Sequence, residues 1–272
     1  RPGRWLGDIL FGDDRQRAVE ALMSFQHSVG RMHAATVDRI GAFRQVQAVH
    51  GATQKSGDRT DQLPDQLRDF PRLVRLLGIA QPPGMAADID TATGLVESPG
   101  PFRTFVHGDT TLANAFLTET GIRIYDVESG GVRHCLTDGA FSRMRYLESS
   151  LAHQLPLDLR RQMMAQYREA LSEGCSAATD DDVFLPAFAA CCACWMAHLC
   201  HDLPSYLEAD RQWGRAGERA RVVAALENFA ELSEEWGQFE ALGETAGAMV
   251  RILRARWSEA DWALPTYPAL LA

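Results

Sequence analysis

Phe105-Val-His107-Gly108-Asp109-Thr-Thr-Leu-Ala-Asn114-Ala-Phe-Leu-Thr-Glu-Thr-Gly121-Ile-Arg-Ile-Tyr-Asp126-Val-Glu128 decides how the chain is read. A short apolar run, Phe105 and Val106, delivers a loop that carries His, Asp and Asn. Two more short runs, Ala115–Leu117 and Ile122–Tyr125, flank Thr118–Gly121, and this pattern predicts a hairpin. The second run ends on Asp126. Two carboxylates and an amide thereby stand at loop edges beside a small hairpin. Such a set suits a metal-bound polyphosphate, because magnesium takes oxygen ligands and needs only one or two from protein carboxylates. His-Gly-Asp by itself is a common turn. Asn114, the hairpin and Asp126 in register make it specific.

The spacing from Asp109 to Asn114 matches the Asp-x-x-x-x-Asn of a kinase catalytic loop, and Asp126 falls where a second metal-binding Asp follows a hairpin. The stretch resembles the aminoglycoside phosphotransferase and choline kinase-like branch of the kinase superfamily. There His-Gly-Asp replaces the His-Arg-Asp of protein kinases, and Asp-x-Glu often replaces Asp-Phe-Gly. The resemblance implies that Asp109 accepts the proton of a substrate hydroxyl. Asn114 and Asp126 would hold Mg2+ against the phosphates of ATP or GTP. Glu128 would lie close enough to assist metal or substrate, and His107 would brace the loop. The implied activity is transfer of a γ-phosphate to a hydroxyl of a small molecule, such as an aminoglycoside-like antibiotic or a metabolite. The alternative is a catalytically inactive binding or regulatory module of the same fold. The resemblance extends over Phe105–Asp138 and, more thinly, over Ala18–Thr36.

The totals constrain the partners. Over 272 residues, 46% hydrophobic and 23% charged content are those of a globular protein. A net charge of −9 argues against nucleic-acid binding and is compatible with a cationic substrate. Of the 27 basic residues only Lys55 is a lysine. It sits in a polar stretch, Gly51 to Thr60, that predicts a mobile loop, so it is not the strand lysine that grips nucleotide phosphates in this family. The expected fold is therefore α+β and predominantly α-helical: a protein kinase-like large lobe with a hairpin at the catalytic loop, its N-terminal β lobe absent from this chain. One lobe would span 1–272, with a connecting segment at 1–14, the catalytic and metal-binding core at 102–138, and a helical substrate-side part at 139–272.

In Arg1–Gly12, Trp5, Leu6, Ile9, Leu10 and Phe11 are available to pack against a missing neighbour. Asp13 or Asp14 caps a helix to Thr36 with Ala18, Leu22, Phe25, Val29 and Met32 on one face. Its end at His33 resembles the family's Leu-Gly-x-Leu-His, and His33 reads as packing or capping. Val37–His50 is a helix with Ile40, Phe43 and Val46 inward. Leu63 to Leu77 is a helix or a broken pair, interrupted at Pro71 and stopped by Gly78. Ala86–Val96 is a short helix. Ser129 to Asp138 reads as loop. Asp138 either caps a helix carrying Phe141, Met144, Leu147 and Leu151, or, as the resemblance implies, anchors the catalytic loop. Pro156–Glu173 is amphipathic.

Val183–Cys200 has no formal charge and touches the ~18-residue lower limit for a membrane span. Pro186, His198 and its alanines make it modestly apolar, so a buried helix is expected rather than a span. Cys191, Cys194, His198 and His201 share a face, yet one straight helix does not converge four ligands on zinc. Six cysteines, four of them clustered here, do not form a disulfide framework, and a reducing cytoplasm follows. The last helices span Ala216–Trp236 and Phe239–Trp257. Glu227, Glu231, Glu234 and Glu235 read mostly as a solvated face.

Overall fold

The opening residues are buried in the chain's own core instead of facing a neighbour. In the computed structural model, which describes residues 3–50 and 59–271, β1 (Arg4–Trp5) pairs antiparallel with Leu117 and Phe116. The short helix α1 (Leu6–Leu10) buries Leu6, Ile9 and Leu10. Asp14 then caps α2 (Arg15–Ala34), accepting the Arg17 N–H at 3.0 Å. Ala18, Leu22, Phe25 and Val29 form its buried face, as the periodicity predicts.

A turn with Asp38 at φ 59° leads into α3 (Ile40–His50). Phe43 meets the Phe105 ring at 5.4 Å. Val46 is 58% exposed, so the expected inward face is not formed. Spacing shows which residues share a helix face, and a packing partner is still needed to cover it. Of the loop expected over 51–60, residues 51–58 with Lys55 lie outside the described residues, and 59–60 already belong to the next helix.

Next, α4 (Arg59–Leu76) runs unbroken through Pro64 and also through Pro71, the one proline at which an interruption was expected. Leu63, Leu67, Phe70 and Val74 are fully buried on it. Their burial is worth about 1.5–3 kcal/mol each, which outweighs the ~3 kcal/mol cost of each interior proline. Gly78 ends the helix with φ +71°, and the Ile79 N–H reaches back to the Val74 carbonyl. The helix expected over 86–96 is α5 (Met85–Glu97).

The small sheets follow. β2 (Arg103–Val106) enters the quoted stretch, and β3 (Ala115–Thr118) and β4 (Gly121–Ile124) form the predicted hairpin. Residues 129–138, expected as loop, instead contain β5 (Gly131–His134), paired with β2 from Arg103↔His134 to Val106↔Gly131. Its partner lies far off in sequence, so no local turn signal marks the pairing. After α6 (Leu136–Gly139), residues 140–151 form tight turns rather than the expected helix, with Arg145 and Tyr146 at φ 56° and 51°. Phe141, Met144, Leu147 and Leu151 are all buried, so the spacing reported burial and not backbone.

The remaining helices are α7 (Leu157–Ser172), α8 (Asp181–Cys200) and α9 (Leu203–Glu208), then a hairpin of β6 (Gln212–Trp213) and β7 (Ala216–Gly217), and finally α10 (Glu218–Trp236), α11 (Glu240–Arg256) and α12 (Glu259–Trp262). The α2 helix lies along α7, while α8 is covered by α4, α5 and α10. By length and composition α8 could cross a membrane, but 78% of its apolar window is buried inside the protein. Trp195 on it donates to the Thr137 carbonyl at 2.9 Å and packs on Phe141. One apolar cluster includes Leu6 of α1 and Leu270 near the C-terminus.

On the Cys191–His201 face, Cys191 and Cys194 are buried in the core and His201 is exposed. All six cysteines are free and buried, and burial pushes the Cys192 thiol up to about 12. His198 is held by Gln66 at 2.8 Å and Glu148 at 3.4 Å. Among the described residues no three His, Cys, Asp or Glu side chains are grouped to hold a metal ion. The late glutamates need correction. Glu235 pairs with buried Arg143 at 2.7 Å, Glu231 with buried Arg160 at 3.0 Å, and Glu227 lies 3.9 Å from buried Arg145. Of the four, only Glu234 is exposed with no ion pair to another of the described residues.

His134, on β5, stacks on Phe102 and sits in the core. Burial, helped by the nearby His33 imidazole, pushes its pKa down from 6.5 to about 3. The unfolded chain binds this proton near 6.5 and the native protein only near 3. Its contribution to stability is therefore complete above pH 6.5 and is lost as the pH falls toward 3, by up to ~1.4 kcal/mol per pH unit. His134→Gln should flatten the acid limb of urea midpoints across that window. An acid limb as steep as that of the parent protein would assign the sensitivity to other groups.

Candidate active site

Residues 107–114 leave β2 and return as β3, and this loop brings the first two expected site residues into contact. The Asn114 amide Nδ2 donates to the Asp109 carboxylate at 2.8 Å and to the Asp109 carbonyl at 3.1 Å. Asn114 is buried and Asp109 half-buried. Ahead of Asn114, the Ala113 carbonyl accepts from the Trp5 indole and from the Tyr125 hydroxyl, each at 2.8 Å. Two aromatic donors thus fix the turn that presents the amide.

His107 ties this loop to the second carboxylate segment. Its Nε2 lies 2.8 Å from the Tyr125 carbonyl, which only accepts, so Nε2 carries the hydrogen. Its Nδ1 accepts from the Asp109 N–H at 3.3 Å. The Tyr125 N–H in turn donates to the Asn114 carbonyl at 3.1 Å. The residue before Asp126 is therefore bonded to both His107 and Asn114. Asp126 itself turns out of β4 with φ 65°, a left-handed conformation that Asp tolerates better than most residues. Asp126 and Glu128 are both exposed. Gly108 explains how closely the two segments run. It has φ +80°, and a Cβ there would overlap the Ser129 carbonyl.

The loop is anchored from below. The buried Asp138 carboxylate accepts the His107 N–H at 2.8 Å and the Gly108 N–H at 3.2 Å. Of the two sequence readings for Asp138, this is the anchor; its side chain caps no helix. His33 is also more than packing. Fully buried at the end of α2, it places Nε2 3.4 Å from Asp138 and Nδ1 2.9 Å from the Tyr167 hydroxyl. The sequence carried no signal for Tyr167, because its partners sit on elements far apart in the chain.

The donor chemistry fits magnesium and a polyphosphate. Asp109, Asn114 and Asp126 offer hard oxygens, and a magnesium ion that keeps waters and takes phosphate oxygens needs no closed protein cage. A separate cleft of 1080 Å³ is lined by Glu227, Glu231, Glu234, Glu240 and Glu244 with Arg145. None of Asp109, Asn114, Asp126 or Glu128 lines that cleft.

Gly108→Ala should lower stability by at least ~2 kcal/mol, since the left-handed backbone and the Ser129 carbonyl both oppose a Cβ. Urea unfolding reads this directly, and parental stability in the variant would contradict the packing of the two segments. No protein-family model matches the chain, and no curated protein sequence matches it significantly.

Proposed function

We propose that the chain is the large lobe of a kinase-like phosphotransferase that moves the γ-phosphate of ATP or GTP to a hydroxyl of a small molecule. The single observation that carries this reading is the Asn114 amide resting on the Asp109 carboxylate at 2.8 Å, in a loop pinned through His107 and Gly108. An α+β, mostly helical architecture with small sheets agrees with it. So does the tie from His107 and Asn114 to Tyr125, next to Asp126.

Phosphoryl transfer passes through a loose transition state, so positioning and charge neutralisation do most of the work. Asp109 accepts a hydrogen bond from the acceptor hydroxyl, aligns its oxygen, and takes the proton as the new O–P bond forms and the bond from the γ-phosphorus to the bridging oxygen breaks, releasing nucleoside diphosphate. Asn114 holds the Asp109 carboxylate in its rotamer. Asn114 and Asp126 are the residues that would hold magnesium, and Glu128 is placed to assist at its edge. When bound, magnesium neutralises charge on the phosphates. The net charge of −9 favours an acceptor that is neutral or cationic.

A catalytically inactive binding module is the second reading. The two readings separate on magnesium-dependent nucleotide binding, which the inactive module lacks.

Asp109→Ala should lower transfer to a panel of small alcohols by at least about 100-fold, the usual range for a lost general base. Its urea midpoint should stay close to the parent's, because Asp109 is half-buried and the Asn114 amide keeps its bond to the residue 109 carbonyl. Turnover at the parental rate in this variant would remove Asp109 from the role of base.

A further inference from the structure

Tyr167 lies on α7 and is fully buried, with its hydroxyl between two groups that matter to the loop. It is 2.9 Å from His33 Nδ1 and 3.2 Å from the Cys135 carbonyl. That carbonyl already accepts the Asp138 N–H at 3.1 Å and the Gly139 N–H at 3.2 Å. The Tyr167 hydroxyl donates to that carbonyl and thus bridges it to His33 Nδ1, which fixes the imidazole against the phenol. On the other side of the ring, His33 Nε2 makes no conventional hydrogen bond, and its polar neighbour is the Asp138 carboxylate at 3.4 Å. An ionised carboxylate only accepts, so satisfying this buried nitrogen requires a hydrogen on Nε2.

We propose that Tyr167 is a positioning residue for the catalytic loop: it holds the His33 ring with Nε2–H on Asp138, the carboxylate that grips the His107 and Gly108 N–H groups. The seat for Tyr167 is built closely. A Cβ on Gly139 would overlap its ring, and a Cβ on Gly30 would overlap its carbonyl. Burial raises the phenol pKa well above its ordinary value, so the group stays a hydroxyl donor. Three side chains, from α7, α2 and α6, and two backbone N–H groups of the loop then act as one chain: Tyr167 to His33, His33 to Asp138, Asp138 to two loop amides. Describing the loop as catalytic rests on the phosphotransferase reading; the chain of contacts does not.

The test compares Tyr167→Phe in the parent protein and in a His33→Gln background, following amide hydrogen exchange at His107 and Gly108 and, in parallel, kcat and KM. In the parent background the two amides should exchange about tenfold faster, and kcat should fall about tenfold with KM for nucleotide nearly constant. A glutamine at 33 donates to Asp138 without a ring to orient. It should retain most of the protection and make Tyr167→Phe silent at both amides. Unchanged exchange in Tyr167→Phe, or an equal increase in both backgrounds, would overturn the proposal, the latter by assigning Tyr167 to packing alone. If the parent protein transfers no phosphate, the phosphotransferase reading fails, and the exchange comparison still decides the role of Tyr167.

Discussion

Two N–H groups at the start of a loop, those of His107 and Gly108, end on one buried carboxylate, Asp138. A buried carboxylate is costly unless its lone pairs are filled, and here two backbone donors bond it while the His33 imidazole stands 3.4 Å away. The loop is held in return. From that fixed start, Gly108 turns through a left-handed conformation against Ser129, Asp109 receives the Asn114 amide, and His107 reaches across to the residue before Asp126. Each contact has one geometry available to it. The candidate site is thus positioned by hydrogen bonds made below and beside it, with little left to side-chain flexibility.

The helical mass supplies the floor for this arrangement. α8 is apolar around its whole circumference because α4, α5 and α10 cover it, and Trp195 on it holds the Thr137 carbonyl one residue from Asp138. Around the turns at 140–151, three arginines are buried and each faces a glutamate of α10. Arginine suits these positions, since its planar fork bonds several acceptors while remaining charged. Breaking one such pair leaves a buried charge without compensation, which is far more damaging than losing a surface pair. These contacts hold residues 143–151, which form neither helix nor strand.

Much of this was legible in the residues. The hairpin, the cap at Asp14, the long helices and the buried character of α8 followed from period, caps and composition. What escaped were features fixed by distant partners. β5 exists because β2 lies beside it. The turns at Arg145 and Tyr146 interrupt a helical spacing whose residues are nonetheless buried, because Tyr146 bonds Gln26 and its neighbours meet α10. The prolines of α4 are tolerated because burial outweighs their cost. Trp5 and Leu6 pack inward on β3 and the core. At the site, Asp109, Asn114 and His107 come together as the spacing implied, whereas the His33–Tyr167 link needed three elements to be placed first.

The central claim is that Asp109, Asn114 and Asp126 surround one divalent cation beside a nucleotide's terminal phosphate. Manganese(II) in place of magnesium tests it most directly, added in small amounts with nucleotide while backbone amide resonances are recorded. The account predicts that signals of residues 109, 114 and 126 broaden first, and only when nucleotide is present. Broadening confined to the glutamates of α10 and α11, or none near the loop, would contradict it.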